Sequence, residues 1–301
     1  MKPAPFAYLD PRSIDEVVEH LARHGDDAKV LAGGQSLMPM LNLRLARPSV
    51  IVDLNHVSGL DGIHDRDGVL SVGALARQRA LERWAAGRAP LLATALGLVG
   101  HTAIRTRGTI AGSVVHADPA AELPALLLCL DGRVVARSQS GQREIAARDL
   151  FRGPLMTSVR PDEVVVETRW TLPSPSAGWS VREMARRHGD FALVGVAVLL
   201  TLARGVIDRA SIALFGAGPV PVRAEASERA LAGQTPKPSL IEDAARLAVQ
   251  GLEPMSDLHA PASYRRSVAR TLTARALTEA LARLTEPGSA TTARAAGSSL
   301  P

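Results

Sequence analysis

The chain has 301 residues, of which 46% are hydrophobic and 22% are charged, and its formal net charge at pH 7 is +5. This is a globular balance with room for roughly two or three domains. The single cysteine, Cys129, excludes internal disulfides and an iron–sulfur cluster held by four thiolates of this chain. Basic residues are interleaved with acidic ones and aromatic residues make up only 3%, so we expect no nucleic-acid partner.

The first part of the chain predicts a helix and then short strands around a glycine pair. Residues 13–24 open with a capping box of Ser13 and Glu16, and their apolar residues share one face, so they predict an amphipathic helix. The stretch AKVLA then predicts a strand that Gly33 and Gly34 turn. Further strands are predicted at SVIVDLN and VLSVGAL, and helices at LARQRALERWAA and PLLATALGLVG.

The middle of the chain ends at a candidate domain boundary. After the stretch RGTIAGS, the run PAAELPALLLCL predicts a helix, and GRVVARS and DEVVVETRWTL predict strands. Cys129 belongs to this apolar helix, where we expect it to be a small buried hydrophobe. The segment Pro173 to Gly178 combines proline, serine and glycine, which predicts a boundary between domains.

The last part of the chain predicts three strands and then three helices. The strands are predicted at WSVREMAR, FALVGVAVLLTL and VIDRASIALFGAG. The helices are predicted at RAEASERALAG, at SLIEDAARLAV with a capping box of Ser239 and Glu242, and at SYRRSVARTLTARALTEALARL. Residues 286–301 have the composition of a disordered tail. The order of the elements therefore predicts an α+β chain of two domains.

Two features argue against secretion and membrane insertion. The first residues, MKPAPFAYLDPRS, lack the apolar core of a secretory signal. The longest apolar run, Phe191 to Ala203, is shorter than the roughly 20 residues that a bilayer-spanning helix needs, and we interpret it as a buried strand. We therefore expect a cytoplasmic protein without a membrane span.

Two short stretches, AGGQS (Ala32 to Ser36) and TIAGS (Thr109 to Ser113), interrupt the apolar pattern in a similar way. Each combines glycine with a hydroxyl side chain, and a tight turn of this kind exposes main-chain N–H groups that can bind a phosphate. Two such turns in one domain suit a diphosphate held from both sides, as in a dinucleotide. Each stretch taken alone is also compatible with a plain turn.

Other kinds of site find no support in the sequence. There is no G-x-x-x-x-G-K-[ST] loop, and FGAGPVP (Phe215 to Pro221) lacks the third glycine of a Rossmann fingerprint. The eight histidines show no metal-ligand spacing, and we interpret His101 and His116 as hydrogen-bonded structural residues. No serine lies in a nucleophile elbow. We therefore assign no metal ligand and no catalytic residue.

Longer motifs around the two stretches resemble a known family. These motifs are AGGQSLMPMLNLRLARPSVIVDLN, RGTIAGSVVHADPAAELPA, FRGPLMTSVRPDEVVVE, REMARRHGDFALVGVA, FGAGPVPVRAEASERALAG and EPMSDLHAPASYRRSVARTLTARAL. Together they cover nearly the whole chain and resemble the FAD-binding medium subunit of molybdenum hydroxylases. That family includes the flavoprotein subunits of carbon monoxide dehydrogenase and xanthine dehydrogenase.

The resemblance implies an α+β fold and a division into domains. A p-cresol methylhydroxylase-type FAD-binding domain would occupy residues 1–175, as two α/β subdomains at about 1–57 and 58–175. A C-terminal flavoprotein domain, with a three-stranded antiparallel sheet and helices, would occupy residues 178–285.

The resemblance also implies which residues bind FAD. Leu31 to Leu37 would wrap the FAD diphosphate, and Thr109 to Ser113 would form a second clamp on it. His116, Asp118 and Glu122 would lie along the ribityl and phosphate groups. The complete implied set, with the four residues expected near the adenine or isoalloxazine end placed last, is Leu31, Ala32, Gly33, Gly34, Gln35, Ser36, Leu37, Thr109, Ile110, Ala111, Gly112, Ser113, His116, Asp118, Glu122, Val165, Arg182, Asp190 and Phe191.

This sequence departs from the family pattern at three positions. Ala111 stands where the family often has glycine, Glu122 where the xanthine-oxidising members carry aspartate, and Thr106 where asparagine is frequent. We expect none of the three to abolish flavin binding.

The function implied by the resemblance is that of an electron-transfer subunit. A large molybdopterin-binding subunit would oxidise the substrate at the molybdenum cofactor. A small subunit with two [2Fe-2S] clusters would relay the electrons to FAD in this chain and on to a terminal acceptor. The lone cysteine agrees with this division, because the clusters need thiolates from another chain. A dimer of such heterotrimers is the expected assembly.

Two other functions stay open from the sequence alone. A stand-alone FAD-dependent oxidase or reductase of the same fold would need its own substrate pocket with acid and base residues, and no convincing set is evident. A cofactor-free binding or assembly module would be favoured by substituted glycine stretches, whereas AGGQS is intact. The helix that carries Tyr264, Arg265 and Arg266 either faces partner subunits or is a solvated amphipathic helix.

Overall fold

A three-stranded parallel sheet begins the chain in this computed structural model, which describes residues 2–285. Its strands are β1 (Ala7–Leu9), β2 (Ala28–Leu31) and β3 (Val50–Asp53), in the order β1-β3-β2. Helix α1 (Ile14–His24) and a short 3-10 turn (Gly25–Asp27) precede β2, and α2 (Leu37–Asn42) lies between β2 and β3. Because the strands are parallel, the loops that follow them meet at one edge of the sheet. The predicted tail at 286–301 lies outside the described residues.

Helix α1 begins where the sequence predicts it. The Ser13 hydroxyl accepts a hydrogen bond from the main-chain N–H of Glu16 at 3.2 Å. The Glu16 carboxylate, however, accepts a hydrogen bond from the N–H of Arg12 at 2.8 Å, one residue before the cap. The buried face of α1, with Val17 and Leu21, packs in the core beside β3.

A five-stranded antiparallel sheet forms the middle of the molecule. Its strands are β4 (Ile63–Arg66), β5 (Val69–Gly73), β6 (Arg133–Ser138), β7 (Gly141–Ala146) and β10 (Val164–Thr171), in the order β4-β5-β10-β6-β7. A separate hairpin consists of β8 (Phe151–Gly153) and β9 (Met156–Thr157). The helices of this part are α3 (Gln78–Ala85), α4 (Pro90–Leu98), α5 (Thr102–Arg107), α6 (Ile110–His116), α7 (Glu122–Cys129) and α8 (Ala147–Leu150).

A four-stranded antiparallel sheet with three helices forms the last part. The strands, in sheet order, are β11 (Gly178–Ala185), β12 (Ala192–Ala203), β13 (Val206–Phe215) and β14 (Val222–Arg223). The helices are α9 (Glu225–Leu231), α10 (Pro238–Ala248) and α11 (Ala262–Thr285). The three predicted long strands are present, and the two-residue β14 adds a fourth strand at the edge.

Helix α10 begins two residues earlier than its predicted capping box implies. Lys237 occupies the cap position, Pro238 is the first helical residue, and no side chain caps this end. A proline at the first position has a backbone angle suited to the helix and lacks only an N–H that would be unpaired there. Pro238 therefore starts this helix, and Ser239 does not cap it.

Strand β12 is covered on both faces, which explains its continuous apolar run. Val194, Val196 and Val198 belong to the core of the last part of the chain, with buried residues of α10 and α11. Ala197 and Leu199, on the other face, belong to the core of the middle part. A strand buried on both sides has no need for alternating polar residues. The last sheet and the middle part therefore share one core.

The structure confirms that Cys129 is a small buried residue, as the sequence predicts. It is fully buried at the end of α7, and burial raises the pKa of its thiol to about 12. A thiol in this state is neutral at physiological pH and is not a nucleophile.

None of the helices within residues 2–285 has both the length and the hydropathy to cross a membrane.

Candidate functional site

A cleft of about 520 Å³ opens at the edge of the parallel sheet where its strands end. Its position follows from topology, because β2 runs into the stretch AGGQS and β3 ends at Asp53, side by side. Open α/β sheets bind ligands at this edge. The lining residues are Leu31, Ala32, Gly33, Gly34, Gln35, Met38, Pro39, Asn42, Asp53, Asn55 and Arg107.

The glycine stretch presents main-chain donors to this cleft. Among the described residues, the four N–H groups from Gly33 to Ser36 have no hydrogen-bond acceptor, and the Ser36 side chain does not cap α2. Gly34 has a positive φ of 73°, a conformation that favours glycine. Consecutive N–H groups turned toward one concavity form an anion-binding nest. The sequence predicts a phosphate-binding turn at AGGQS, and this role stays a prediction.

Gly33 is required by the close approach of the second stretch. A Cβ at this position would lie 2.5 Å from the main-chain oxygen of Arg107, 2.8 Å from the Cα of Gly108 and 3.0 Å from the N of Thr109. All three are main-chain atoms, so no side-chain rotation can relieve the overlap. The two stretches identified from the sequence are therefore in direct contact.

Side chains from the end of β3 fix the first stretch. Asn55 donates from Nδ2 to the main-chain oxygen of Ala32 at 2.9 Å and to Oδ1 of Asp53 at 2.6 Å. The other carboxylate oxygen of Asp53 accepts a hydrogen bond from the Tyr8 hydroxyl at 2.6 Å. That bond is the main cause that raises the pKa of Tyr8 to about 12. Both oxygens of the buried Asp53 are thus engaged by protein donors.

Arg77 connects this group to the second stretch. Its guanidinium donates to Oδ1 of Asn55 at 2.7 Å and to the main-chain oxygen of Arg107 at 2.7 Å. The main chain adds a bridge between Arg77 and Thr109, and the N–H of Gln78 donates to the oxygen of Gly108 at 2.9 Å. The two stretches are therefore held together by side chains as well as by contact.

The second stretch differs from the predicted turn, because it is the start of helix α6. The Thr109 hydroxyl caps this helix and accepts a hydrogen bond from the N–H of Gly112 at 3.1 Å. The N–H of Ile110 donates to the oxygen of Ala76 at 3.1 Å. Ala111 has a helical conformation, so the alanine in place of glycine introduces no strain. Fewer free N–H groups remain here than in the first stretch.

The loop after α6 is anchored by other parts of the chain. Ala117 has a positive φ of 53°, and its oxygen accepts a hydrogen bond from the N–H of Leu155 at 3.0 Å. The oxygen of Pro119 accepts one from the N–H of Gly216 at 2.7 Å. Gly216 belongs to the FGAGPVP motif, which therefore fixes this loop instead of forming a Rossmann turn.

Two carboxyl groups near this loop have no side-chain donor among the described residues. Glu122, at the start of α7, is only 8% exposed and has no side-chain donor among the described residues. Burial, with smaller contributions from Glu183 and Asp118, raises its pKa to about 8. Glu183 on β11 has a buried Oε2 with no hydrogen-bond partner in residues 2–285, and burial raises its pKa to about 7. These carboxyl groups can receive donors from a bound ligand.

Arg182 and Glu183 extend from opposite faces of β11. Arg182 donates from Nε to Glu279 on α11 at 2.9 Å, and Ser180 donates to the same carboxylate at 2.8 Å. Val181 packs on the other face, against the core of the middle part. Since side chains alternate along a strand, Glu183 shares the face of Val181. The predicted role of Arg182 as a flavin contact stays a prediction, and Glu183 is the β11 residue beside Glu122.

The loop that contains Asp190 and Phe191 closes against the segment before α5. Gly189 has a φ of 87°, and a Cβ there would lie 2.3 Å from the ring of His101. The rings of His101 and His188 stack with centroids 6.2 Å apart. Asp190 is exposed and Phe191 is 70% exposed, so both side chains are accessible to a ligand or partner.

The remaining predicted residues occupy two different environments. Val165 is buried in β10, paired with Ala136 of β6, in the core of the middle part. His116 is the half-buried last residue of α6. Their contacts with a cofactor stay predictions. No cluster of three or more histidine, cysteine, aspartate or glutamate residues within 2–285 is placed to hold a metal ion.

Five residues of the site were missed by reasoning from the sequence. Asp53 and Asn55 carry a signal that could have found them, because polar residues directly after a buried strand mark the binding edge of a parallel sheet. Arg77, Arg107 and Glu183 carry no such signal, since only the tertiary fold brings them to the cleft or to Glu122.

The donors and acceptors of the site fit FAD. The N–H groups of the glycine stretch need an anion, and the diphosphate of FAD is one. The carboxyl groups of Glu122 and Glu183 have no side-chain donor among the described residues, and the ribityl hydroxyls can bond to them. FAD combines a diphosphate with a hydroxyl chain, so one molecule provides both kinds of group.

Comparison with known proteins agrees with this fit. Residues 4–174 match the family model described as the FAD binding domain in molybdopterin dehydrogenase, and residues 179–280 match the CO dehydrogenase flavoprotein C-terminal domain. The chain therefore belongs to the family of FAD-binding medium subunits of molybdenum hydroxylases.

Relatives align along nearly the whole chain. The 6-hydroxypseudooxynicotine dehydrogenase complex subunit alpha of Paenarthrobacter nicotinovorans is 41% identical, over 94% of this chain and 97% of its own length. The caffeine dehydrogenase subunit beta of Pseudomonas sp. (strain CBB1) is 38% identical, over 94% and 97%. A solved structure of carbon monoxide dehydrogenase from Hydrogenophaga pseudoflava superposes with a TM-score of 0.91 at 36% identity, covering 94% of this chain and 99% of that one.

The helix considered as a partner surface is partly internal. Arg265 is buried, donates from Nη2 to Asp257 at 2.7 Å and also bonds the main-chain oxygen of Leu193. Arg266 donates from Nη2 to the oxygen of Leu252 at 3.1 Å. Tyr264 is 45% exposed. Of the three residues, only Tyr264 has a side chain without such internal bonds in the described structure.

Proposed function

We propose that this chain binds FAD in the cleft at the edge of the parallel sheet, with the diphosphate on the N–H groups from Gly33 to Ser36. The observation that carries the proposal is the main-chain contact between Gly33 and the segment of Arg107 to Thr109, beside four N–H groups without acceptors. A cradle that admits no Cβ and presents consecutive donors is suited to an anion.

The other predicted site residues complete the proposed binding mode. Thr109 to Ser113 form the opposite wall of the diphosphate site, and His116, Asp118 and Glu122 lie along the ribityl and phosphate groups. Val165, Arg182, Asp190 and Phe191 are proposed to lie toward the adenine or isoalloxazine end. FAD when bound supplies the redox chemistry, and the residues of this chain bind and orient it. No general acid or base of this chain is assigned.

We further propose the place of this chain in a complex. It links the two [2Fe-2S] clusters of a small partner subunit to a terminal acceptor, while a large subunit holds the molybdenum cofactor. A cytoplasmic dimer of heterotrimers is the proposed assembly, and residues 1–175 and 178–285 are the proposed domains. The relatives act on different substrates, as their names state, so the substrate site is proposed to lie outside this chain.

The test is native purification from the source cells, followed by flavin extraction, metal analysis and identification of co-purifying chains. We expect equimolar FAD, with molybdenum, iron, one larger chain and one smaller chain. Stoichiometric FAD on the chain alone, without metals or partners, would favour the stand-alone oxidase or reductase. A folded, flavin-free chain that does not take up added FAD would contradict the proposal and favour a cofactor-free module.

A further inference from the structure

Arg107 has a charged side chain without a partner among residues 2–285. It is the last residue of α5, it is exposed, and it lines the cleft beside the glycine pair. Its main-chain oxygen accepts the hydrogen bond from Arg77. Its guanidinium, in contrast, forms no hydrogen bond or ion pair with residues 2–285. The segment is therefore fixed through its main chain, and the side chain is free to bind something else.

Arg107 lines the cleft and Arg77 lies beside it, so two positive charges lie near Asp53. Burial, followed by the nearby charge of Arg107, lowers the pKa of Arg77, so the two guanidinium groups are close enough to repel each other. Asp53 is the one carboxylate among the described lining residues, and its two oxygens already bind Tyr8 and Asn55. An anion in the cleft would relieve the repulsion between the arginines.

We propose that Arg107 binds the diphosphate of the bound cofactor together with the N–H groups of Gly33 to Ser36. The inference rests on the proposed function and adds a cationic side chain to a site otherwise formed by main-chain donors. A guanidinium offers a planar fork that matches two phosphate oxygens, and such charge-assisted hydrogen bonds are stronger than neutral ones.

The role of Arg107 is tested by titrating FAD into the flavin-free, full-length chain and its variants at low and high NaCl. Arg107→Ala is expected to weaken FAD binding about tenfold at low salt and to reduce the salt dependence of the affinity. Arg107→Lys is expected to retain the salt dependence, because it keeps the charge, while losing part of the affinity with the bidentate fork. The melting temperature is expected to stay unchanged in both variants, since the side chain has no protein partner.

Arg66→Ala is the matched control, because Arg66 is a highly exposed arginine on β4 whose only ion pair within residues 2–285 is with Asp67. It is expected to bind FAD like the unmodified chain. If Arg107→Ala and the unmodified chain bind FAD with equal affinity and equal salt dependence, the role of Arg107 is overturned but the proposed function is not. A lowered melting temperature in both Arg107 variants, in parallel with lost affinity, would also overturn it by assigning a structural role. If the folded, unmodified chain and Arg66→Ala both fail to bind FAD, the proposed function itself fails.

Discussion

At the scale of single residues, the absence of a Cβ at Gly33 matters for both the stability of the fold and the binding of FAD. Gly33→Ala places a Cβ 2.5 Å from the main-chain oxygen of Arg107, so the two stretches must separate. We expect a loss of about 1–3 kcal/mol in the free energy of unfolding from overpacking. We also expect FAD affinity to fall at least about tenfold, because the cradle is displaced. Urea denaturation and FAD titration measure the two effects.

Gly97→Ala is the control for this substitution. Gly97 lies inside helix α4, and a Cβ there meets nothing within 4 Å. Alanine is the better helix former, so this variant is expected to be more stable by about 0.5–1 kcal/mol and to bind FAD normally. A Gly33→Ala variant with unchanged stability and affinity would show that the contact between the stretches is not needed.

Glu122 predicts a pH dependence of stability. The pKa of this carboxyl group is about 8 in the folded chain and 4.5 as its ordinary value, so the folded state holds a proton that the unfolded state releases. The stability from this proton is complete below about pH 4.5 and is lost as pH rises to about 8. In flavin-free protein, Glu122→Gln is expected to remove this loss, as measured by urea unfolding at pH 5.5, 7 and 9.

Glu163 is the control for Glu122, because its pKa is lowered in the folded chain whereas that of Glu122 is raised. Burial acts to raise the pKa of Glu163, but hydrogen bonds from Arg143 and from the N–H of Arg160 outweigh it and hold the pKa below its ordinary value. Its stabilising effect is therefore present above about pH 4.5 and is lost in acid. Glu163→Gln should destabilise the chain at pH 7 and 9. If Glu122→Gln and Glu163→Gln change stability with pH in the same way, the assignment of a neutral carboxyl group to Glu122 is wrong.

The residue scale also shows what a sequence can and cannot reveal. Gly33 was predicted as a site residue from the glycine turn and from the family motif, and Glu122 from the family motif alone. Neither their contacts nor the protonation of Glu122 could be read from these patterns. Glu183 was missed because strand alternation separates it from Arg182 without indicating which face meets α7. That choice is made by packing between distant parts of the chain.

At the scale of elements, the end of β3 organises the loops around the cleft. Asn55 makes three side-chain hydrogen bonds, to Ala32, Asp53 and Arg77. Asn55→Ala is expected to cost about 1–3 kcal/mol of stability, since partners in a half-buried site lose their bonds. It should also speed hydrogen exchange in the peptides that contain residues 32–37 and 105–113, as measured by mass spectrometry.

Ser49→Ala is the control for this element, because the Ser49 hydroxyl makes a single long bond of 3.4 Å to the exposed oxygen of Asp27. It should leave exchange in both peptides unchanged. Increased exchange in residues 32–37 alone would contradict the account, in which Asn55 and Arg77 couple the two stretches.

Most elements could be predicted from the sequence, and the stretch at Thr109 shows why one of them was not. Ser13 begins α1 as expected, since its cap and apolar face agree. The stretch at Thr109 was predicted as a turn because it combines glycine with a hydroxyl side chain. In the structure Thr109 caps a helix, and buried Ile110 and Val114 fix that helix in the core. Tertiary packing overrides a weak local preference here.

At the scale of the whole molecule, the shared core predicts that the described chain unfolds as one unit. Phe215 on β13 is fully buried in the core of the middle part, although it belongs to the last sheet. Phe215→Ala is expected to cost about 3–5 kcal/mol. Near-ultraviolet circular dichroism and size exclusion in urea should report one coincident transition, because both parts lose the same core.

Phe191→Ala is the matched control at this scale. Phe191 is 70% exposed, so its removal should change stability by no more than about 0.5 kcal/mol. Two separate transitions in the unmodified chain would contradict a shared core. A stability loss in Phe191→Ala equal to that in Phe215→Ala would do the same.

Composition predicts a domain boundary at Pro173 to Gly178, which stays a prediction, whereas it gives no indication of the joint core. The apolar run of β12 indicates a strand buried on both faces, but it does not say that one face meets α10 and α11 while the other meets α7. The order of the five-stranded sheet, with β10 between β5 and β6, is likewise a property of distant pairings. Such pairings have no local signal in the chain.

The most direct test of the account is a crystal structure of the chain, alone or in its complex, prepared with saturating FAD. The account predicts density for the diphosphate within hydrogen-bonding distance of the N–H groups of Gly33 to Ser36, with Arg107 beside it and Glu122 near the ribityl chain. FAD bound elsewhere, or a solvent-filled cleft at these N–H groups in a sample that retains its flavin, would contradict it.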